Sequence, residues 1–208
     1  MDPAKRLERS VDSLQKIYTV IVGLAIAQAV QALSVADRAT NTLANWSDLQ
    51  GRLPAFLAFA VVLVPFFHGM NRHLDYCYLE RPEGEQAQGA LLFDFVVFFA
   101  QSAILFLIAT SIAQKTLAPF VFLAALLALD VIWSLVSHWI HYRTLKASIV
   151  RWSIINAVTL ALGLALALPT IYEDAAKTWL LLVLAVARTL ADYRACWSFY
   201  FPPIAKSA

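Results

Sequence analysis

The chain is poor in charge: Lys, Arg, Asp and Glu make up 14% of its 208 residues, against roughly a quarter in soluble domains. It has only two cysteines, Cys77 and Cys196. They form neither a C-x-x-C pair nor a zinc spacing, which excludes a disulfide scaffold and a cysteine-built metal site. Both are expected as free thiols near the cytoplasmic face, where disulfides do not persist. The sequence contains no H-E-x-x-H, no P-loop, no G-x-G-x-x-G and no serine nucleophile elbow. The chain is therefore read as non-enzymatic, with no cofactor and no metal. Its net charge of +2 comes without a basic cluster on any polar segment, so no direct nucleic-acid partner is expected. The basic N-terminal stretch is not followed by a small-residue cleavage site and reads as the start of a retained first helix.

What fills the chain is apolar: 61% of residues are hydrophobic, and the mean hydropathy is +0.67. A spanning helix needs about 20 mostly apolar residues. Residues 17–35, 53–70, 90–113, 117–140 and 152–168 meet that need. A sixth segment, 177–201, is interrupted by Arg188, Asp192 and Arg194. Such charges cost roughly 2.5–3.5 kcal/mol each at the bilayer centre unless they are paired or off-centre. The expected fold is an all-α, polytopic membrane bundle: one domain over 1–208, six transmembrane helices, both termini cytoplasmic.

The orientation follows from loop charge. With the N-terminus inside, the cytoplasmic side holds Lys5, Arg6, Arg9, Lys16, Arg72, Arg81, Arg143, Lys146, Arg151, Arg188, Arg194 and Lys206, and the outer side only Arg38, Arg52, Lys115 and Lys177. That asymmetry is the positive-inside pattern. Trp46 and Trp179 then mark the outer boundary, and Trp139, Trp152 and Trp197 the inner one, as an aromatic belt requires. The expected location is the bacterial inner membrane, with the lipid bilayer as the first partner.

Polar residues within the spans fall mostly in the cytoplasmic half. His68, Arg72 and Asp75 share one helix face, as do Asp130, Ser134, Ser137, His138 and His141, and as do Asp94, Gln101 and Ser102. Asn156 lies a turn and a half into the fifth span. Ionisable groups in hydrocarbon turn toward each other or toward water. The reading is a polar cavity open to the cytoplasm, with Asp130, Asp94, His68, His138, Arg72 and Asn156 as the residues that would bind or attract a permeant species. Asp130 stands out as the deepest. Arg188 and Asp192, at i, i+4, read as a structural ion pair. The same acids and bases could also serve only as register-fixing salt bridges, and the histidines as interfacial helix caps. Small residues on the first and fifth spans (Gly23, Ala25, Ala29; Ala157, Ala161, Gly163) permit close helix approach within one subunit or between subunits.

Two short motifs carry a family resemblance. Arg9-Ser10-Val11-Asp12 leads into the first helix, and Phe66-Phe67-His68-Gly69-Met70-Asn71-Arg72-His73 closes the second. Together with the six-span pattern they resemble the small bacterial relatives of the endolysosomal potassium channel, although Val11 separates the Ser and Asp that stand together in that family. The resemblance implies a homo-oligomeric cation pore lined by the first helix of each subunit. The functional expectation is thus a pore or transporter. The alternative is a non-enzymatic membrane effector or regulatory subunit that docks a cytoplasmic protein, as in bacterial antiviral defence.

Overall fold

The computed structural model describes residues 3–37, 42–80, 90–114, 116–140, 147–168 and 174–202. His141 and the loop residues Arg38, Arg81, Lys115, Arg143 and Lys146 lie outside these, as does Lys206. The described chain is almost wholly helical: α1 (Pro3–Ser34), α2 (Trp46–Leu74), α3 (Ala90–Ser111), α4 (Ala118–Ile140), α5 (Ala147–Ala167), α6 (Asp174–Ala195) and a single-turn α7 (Trp197–Tyr200). A small antiparallel hairpin, β1 (Val35–Asp37) with β2 (Thr42–Leu43), joins α1 to α2. Five helical stretches are long and apolar enough to cross a membrane: Ala4–Ser34, Trp46–Leu79, Ala90–Gln114, Ala118–Ser137 and Ile149–Ala167. The 22-residue α6 carries Asp174, Lys177, Arg188, Asp192 and Arg194 and is not among them.

Two helices start earlier than hydropathy suggests. No Gly or Pro interrupts residues 4–22, so the polar N-terminal segment continues the first helix outward instead of forming a tail. Ser10 and Ser13 bond back to the Arg6 and Arg9 carbonyls, and Lys16 pairs with Asp12 one turn before it. α2 begins seven residues before position 53 because Asn45 caps it. The Asn45 side chain accepts from the Asp48 N–H at 2.9 Å, and the Asp48 carboxylate accepts from the Asn45 N–H, a reciprocal capping box. At the same end Arg52 is buried. Its Nη1 donates to the Ala32 and Val35 carbonyls at 3.0 and 2.8 Å, which satisfies the open end of α1.

The helices pack in the order α1, α3, α4, α5, α6 around the bundle, with α2 against α1, α3, α4 and α6. α6 lies alongside α5 over most of its length and antiparallel to it: Arg188 meets Asn156, Asp192 meets Trp152, and the Ala195 carbonyl meets Arg151. It runs parallel to α2, with Thr189 against Val61 and Tyr193 against His68. The Thr189–Val61 contact has a local cause. Pro65 has no N–H to give the carbonyl four residues back. The Thr189 hydroxyl of α6 donates to that carbonyl instead, at 3.2 Å.

Polarity is inverted relative to a soluble protein. Asp94, Asp130, Asn156 and Asp192 are fully buried, while Val20, Leu24, Val64, Leu92, Phe99, Val121, Ile154 and Leu190 face outward. α6 follows the same rule: Arg188 and Asp192 point in, and Trp179, Val183, Val186 and Leu190 point out. Soluble proteins almost never bury unpaired acids and rarely expose continuous apolar surface. Surrounding hydrocarbon is the solvent that this arrangement suits.

Candidate functional site

The buried carboxylates Asp94, Asp130 and Asp192 sit in two separate hydrogen-bonded clusters. In the first, Asp94 of α3 accepts three hydrogen bonds: from His73 Nε2 at 3.0 Å, from the Tyr78 hydroxyl at 2.7 Å and from Trp133 Nε1 at 2.8 Å. The donors come from α2, from the π-helical turn Asp75–Leu79 that extends it, and from α4. The wider turn brings Tyr78 back toward α3. The rings of Phe98 and Trp133 pack edge-on against His73 and seal the group. Asp94 is thereby a closed anchor tying α2, α3 and α4 together, with its carboxylate saturated by donors.

In the second cluster, Asp130 of α4 accepts from Gln101 Nε2 of α3 at 3.0 Å and from the Asn156 amide of α5. The Asn156 carbonyl oxygen accepts from Arg188 Nε of α6 at 2.9 Å. Arg188 Nη1 lies 3.1 Å from the Asp192 carboxylate. Asp192 in turn accepts from Trp152 Nε1 and from the Tyr200 hydroxyl, each at 3.1 Å. The result is a continuous chain Gln101–Asp130–Asn156–Arg188–Asp192–Tyr200 through α3, α4, α5, α6 and α7. The Arg188 guanidinium also lies 5.0 Å over the Phe66 ring, a cation–π contact. Next to this cluster the hydroxyls of Ser134 and Ser153 bond across α4 and α5.

The sequence-derived residues divide accordingly. Asp130 and Asn156 are brought together, and Arg188 with Asp192 forms the expected ion pair. Asp94 belongs to the other cluster. His68 is half-buried, its Nδ1 3.3 Å from the Tyr193 hydroxyl and its ring against Tyr200 and Phe201, in neither carboxylate cluster. Arg72 sits at the edge, paired with Glu80 and donating to the Phe199 carbonyl at 2.9 Å. His138 lies in the last turn of α4, and its side chain is outside the described residues. Among the described residues no three His, Cys, Asp or Glu side chains gather as a metal set. Cys77 and Cys196 are buried and are not joined in a disulfide.

The expected open, polar cavity is replaced around Asp94 and Asp130 by direct side-chain contact: both are sealed from solvent. One cavity that adjoins this network, of about 300 Å³ between α4, α5 and α6, is apolar and has Arg188 among its lining residues. The partners missed from sequence are Tyr78, Trp133, Trp152 and Tyr200. Their signal was available: a Trp or Tyr inside a span has one donor that hydrocarbon cannot satisfy, so it points to an acceptor. No protein-family model matches the chain, and no curated protein or solved structure does either.

Proposed function

We propose that the chain is a six-span membrane pore or transporter for a small cation or protons, with both termini in the cytoplasm and the Asp130 cluster as its working centre. The sixth span is α6. Its 22 residues reach about 33 Å at 1.5 Å per residue, the thickness of a bilayer core. Arg188 and Asp192 turn inward, onto partners from α5 and α7, and the apolar face of α6 turns out. Six spans also restore the loop-charge asymmetry that sets orientation.

The single observation that carries the functional reading is the Asp130–Asn156–Arg188–Asp192 chain. Ionisable groups this deep in a bundle are costly and mark ion or proton paths. In this network one guanidinium stands between two carboxylates. A cation or proton arriving at Asp130 weakens the hold of Asn156 and Arg188 there and shifts Arg188 toward Asp192. Loss of that charge reverses the shift. Asp130 is the binding group, Asn156 the coupling group and Arg188 the internal countercharge. Asp94, already saturated, holds the helices in place.

The test is flux through purified protein in sealed liposomes between pH 5 and 8, with wild type beside Asp130→Asn. Flux above protein-free vesicles, and its loss in a variant that still elutes as wild type does, is the expected result. Absence of flux, or flux indifferent to Asp130, overturns the reading.

A further inference from the structure

Asp130 and Asp192 bring two carboxylates into the buried network, and Arg188 brings one guanidinium. The network is therefore short of one positive charge, and an uncompensated charge inside a membrane bundle is costly. The shortfall falls on Asp130. Asp192 faces the guanidinium itself, together with the Trp152 indole and the Tyr200 hydroxyl. Among the described residues, Asp130 accepts only from the neutral amides of Gln101 and Asn156. The other helices supply it no positive charge. On α1 the Tyr18 hydroxyl lies within electrostatic range, buried and without a hydrogen-bond partner. α2 lays the Phe66 ring over Arg188, and its His73 is bonded to Asp94 of α3 in the other cluster.

We infer that the missing charge is a proton, taken by Asp130 on Oδ1, and that the Gln101 amide turns over to receive the new O–H; sodium and potassium are not held there. The inference rests on the transport reading of this site and narrows its substrate to the proton. Two features speak against a metal cation. A bound cation exchanges its water shell for a ring of oxygen atoms, whereas N–H groups point at the Asp130 carboxylate. The Asn156 amide is not free to offer oxygen instead. A guanidinium only donates, and Arg188 Nε holds the Asn156 carbonyl oxygen at 2.9 Å. Asp130 also has no surface open to a water-sized probe, so a cation with its ligand waters does not fit once the bundle closes. A proton needs neither oxygen shell nor volume. Hydronium reaching the carboxylate during an opening of the bundle gives up its proton and leaves as water. The resulting acid is a donor and needs an acceptor. Oδ2 stays an acceptor for Asn156, only a weaker one. On the Oδ1 side, Gln101 makes no other hydrogen bond among the described residues, so a half-turn of its amide puts the carbonyl oxygen where the N–H was.

The test is infrared difference spectroscopy of the full chain in lipid nanodiscs, titrated from pH 4 to 9 in N-methylglucamine, sodium or potassium chloride. A protonated-carboxyl band should titrate in wild type, be missing in Asp130→Asn, and return at a shifted midpoint in Asp130→Glu, which keeps the carboxyl. A side-chain amide band should titrate with it and be lost in Gln101→Leu. The wild-type midpoint should be the same in all three salts. A cation competing for the carboxylate at ten times its Kd lowers the midpoint by about one pH unit, so the salts are compared without any variant. No titrating band assigned to Asp130, a midpoint lowered by sodium or potassium, or an amide band that survives Gln101→Leu would each overturn the inference. The titration is read without flux. A titration as expected in protein that passes no ion through liposomes therefore upholds the proton site and overturns the transport reading alone.

Discussion

Replacing Asp94 should be among the most damaging single changes in this protein. Asp94→Leu keeps the branched heavy-atom skeleton but removes the acceptor shared by His73, the Tyr78 hydroxyl and the Trp133 indole. All three donors are buried, so water cannot replace the lost partner. In aqueous proteins a stranded donor costs about 1–3 kcal/mol, while side-chain hydrogen bonds between membrane helices average about 0.6 kcal/mol. Three bonds at the membrane value give a floor near 2 kcal/mol. The aqueous values, for three donors, give about 3–9 kcal/mol, and full burial places the outcome well above the floor. The assay is reversible unfolding in mixed detergent micelles, followed by tryptophan emission, which also reports on Trp133 directly. Asp12→Asn is the matched control, because it removes an exposed i, i+4 pair with Lys16 and should cost no more than about 0.5 kcal/mol. An Asp94→Leu protein as stable as that control would refute the view that the first cluster anchors α2, α3 and α4.

Other consequences follow from the same contacts. Thr189→Val should destabilise by about 0.6 kcal/mol in wild type and by almost nothing in a Pro65→Ala background, because the alanine N–H then fills the Val61 carbonyl itself; a double-mutant cycle reads this coupling. Asn156→Leu should cost at least about 2 kcal/mol, since it strands Arg188 Nε and leaves Asp130 with Gln101 as its one described side-chain donor, and the loss should appear in the same micelle unfolding assay. Asn45→Ala should cost about 1 kcal/mol and fray the first turn of α2, visible as faster amide exchange at Asp48 and its neighbours.

Much of the helical architecture was legible in the sequence, because a bilayer-length apolar run leaves few alternatives to a helix. The ends were less legible. Hydropathy cannot register the polar turns before residue 17, which continue α1, or the Asn45–Asp48 capping box, which starts α2 early. The β1–β2 hairpin and the π-helical turn at Asp75–Leu79 have no periodic signature at all. Face sharing identified Asp94, Asp130 and Gln101 as inward, depth in the fifth span singled out Asn156, and i, i+4 spacing gave the Arg188–Asp192 pair. Which inward group meets which is a matter of helix neighbours, and here α3 against α4 splits Asp94 from Asp130 by the partners each finds. The step from clustered charge to an open polar cavity fell short for a physical reason. Indole, phenol and amide donors from other helices filled the space around the carboxylates where water had been expected.

The proposed function rests most heavily on α6 crossing the membrane with Arg188 and Asp192 inside the bundle. Impermeant maleimide labelling of oriented vesicles tests this directly, in a background where Cys77 and Cys196 are replaced by alanine. Single substitutions Ser13→Cys, Ser47→Cys, Ala176→Cys and Ser198→Cys place the reporter at exposed positions near the ends of α1, α2 and α6 and on α7. Six spans predict that positions 47 and 176 label from one side and positions 13 and 198 from the other. Labelling of position 198 from the same side as 47 and 176 would contradict it, and would leave Arg188 and Asp192 without the membrane setting on which the proposed function depends.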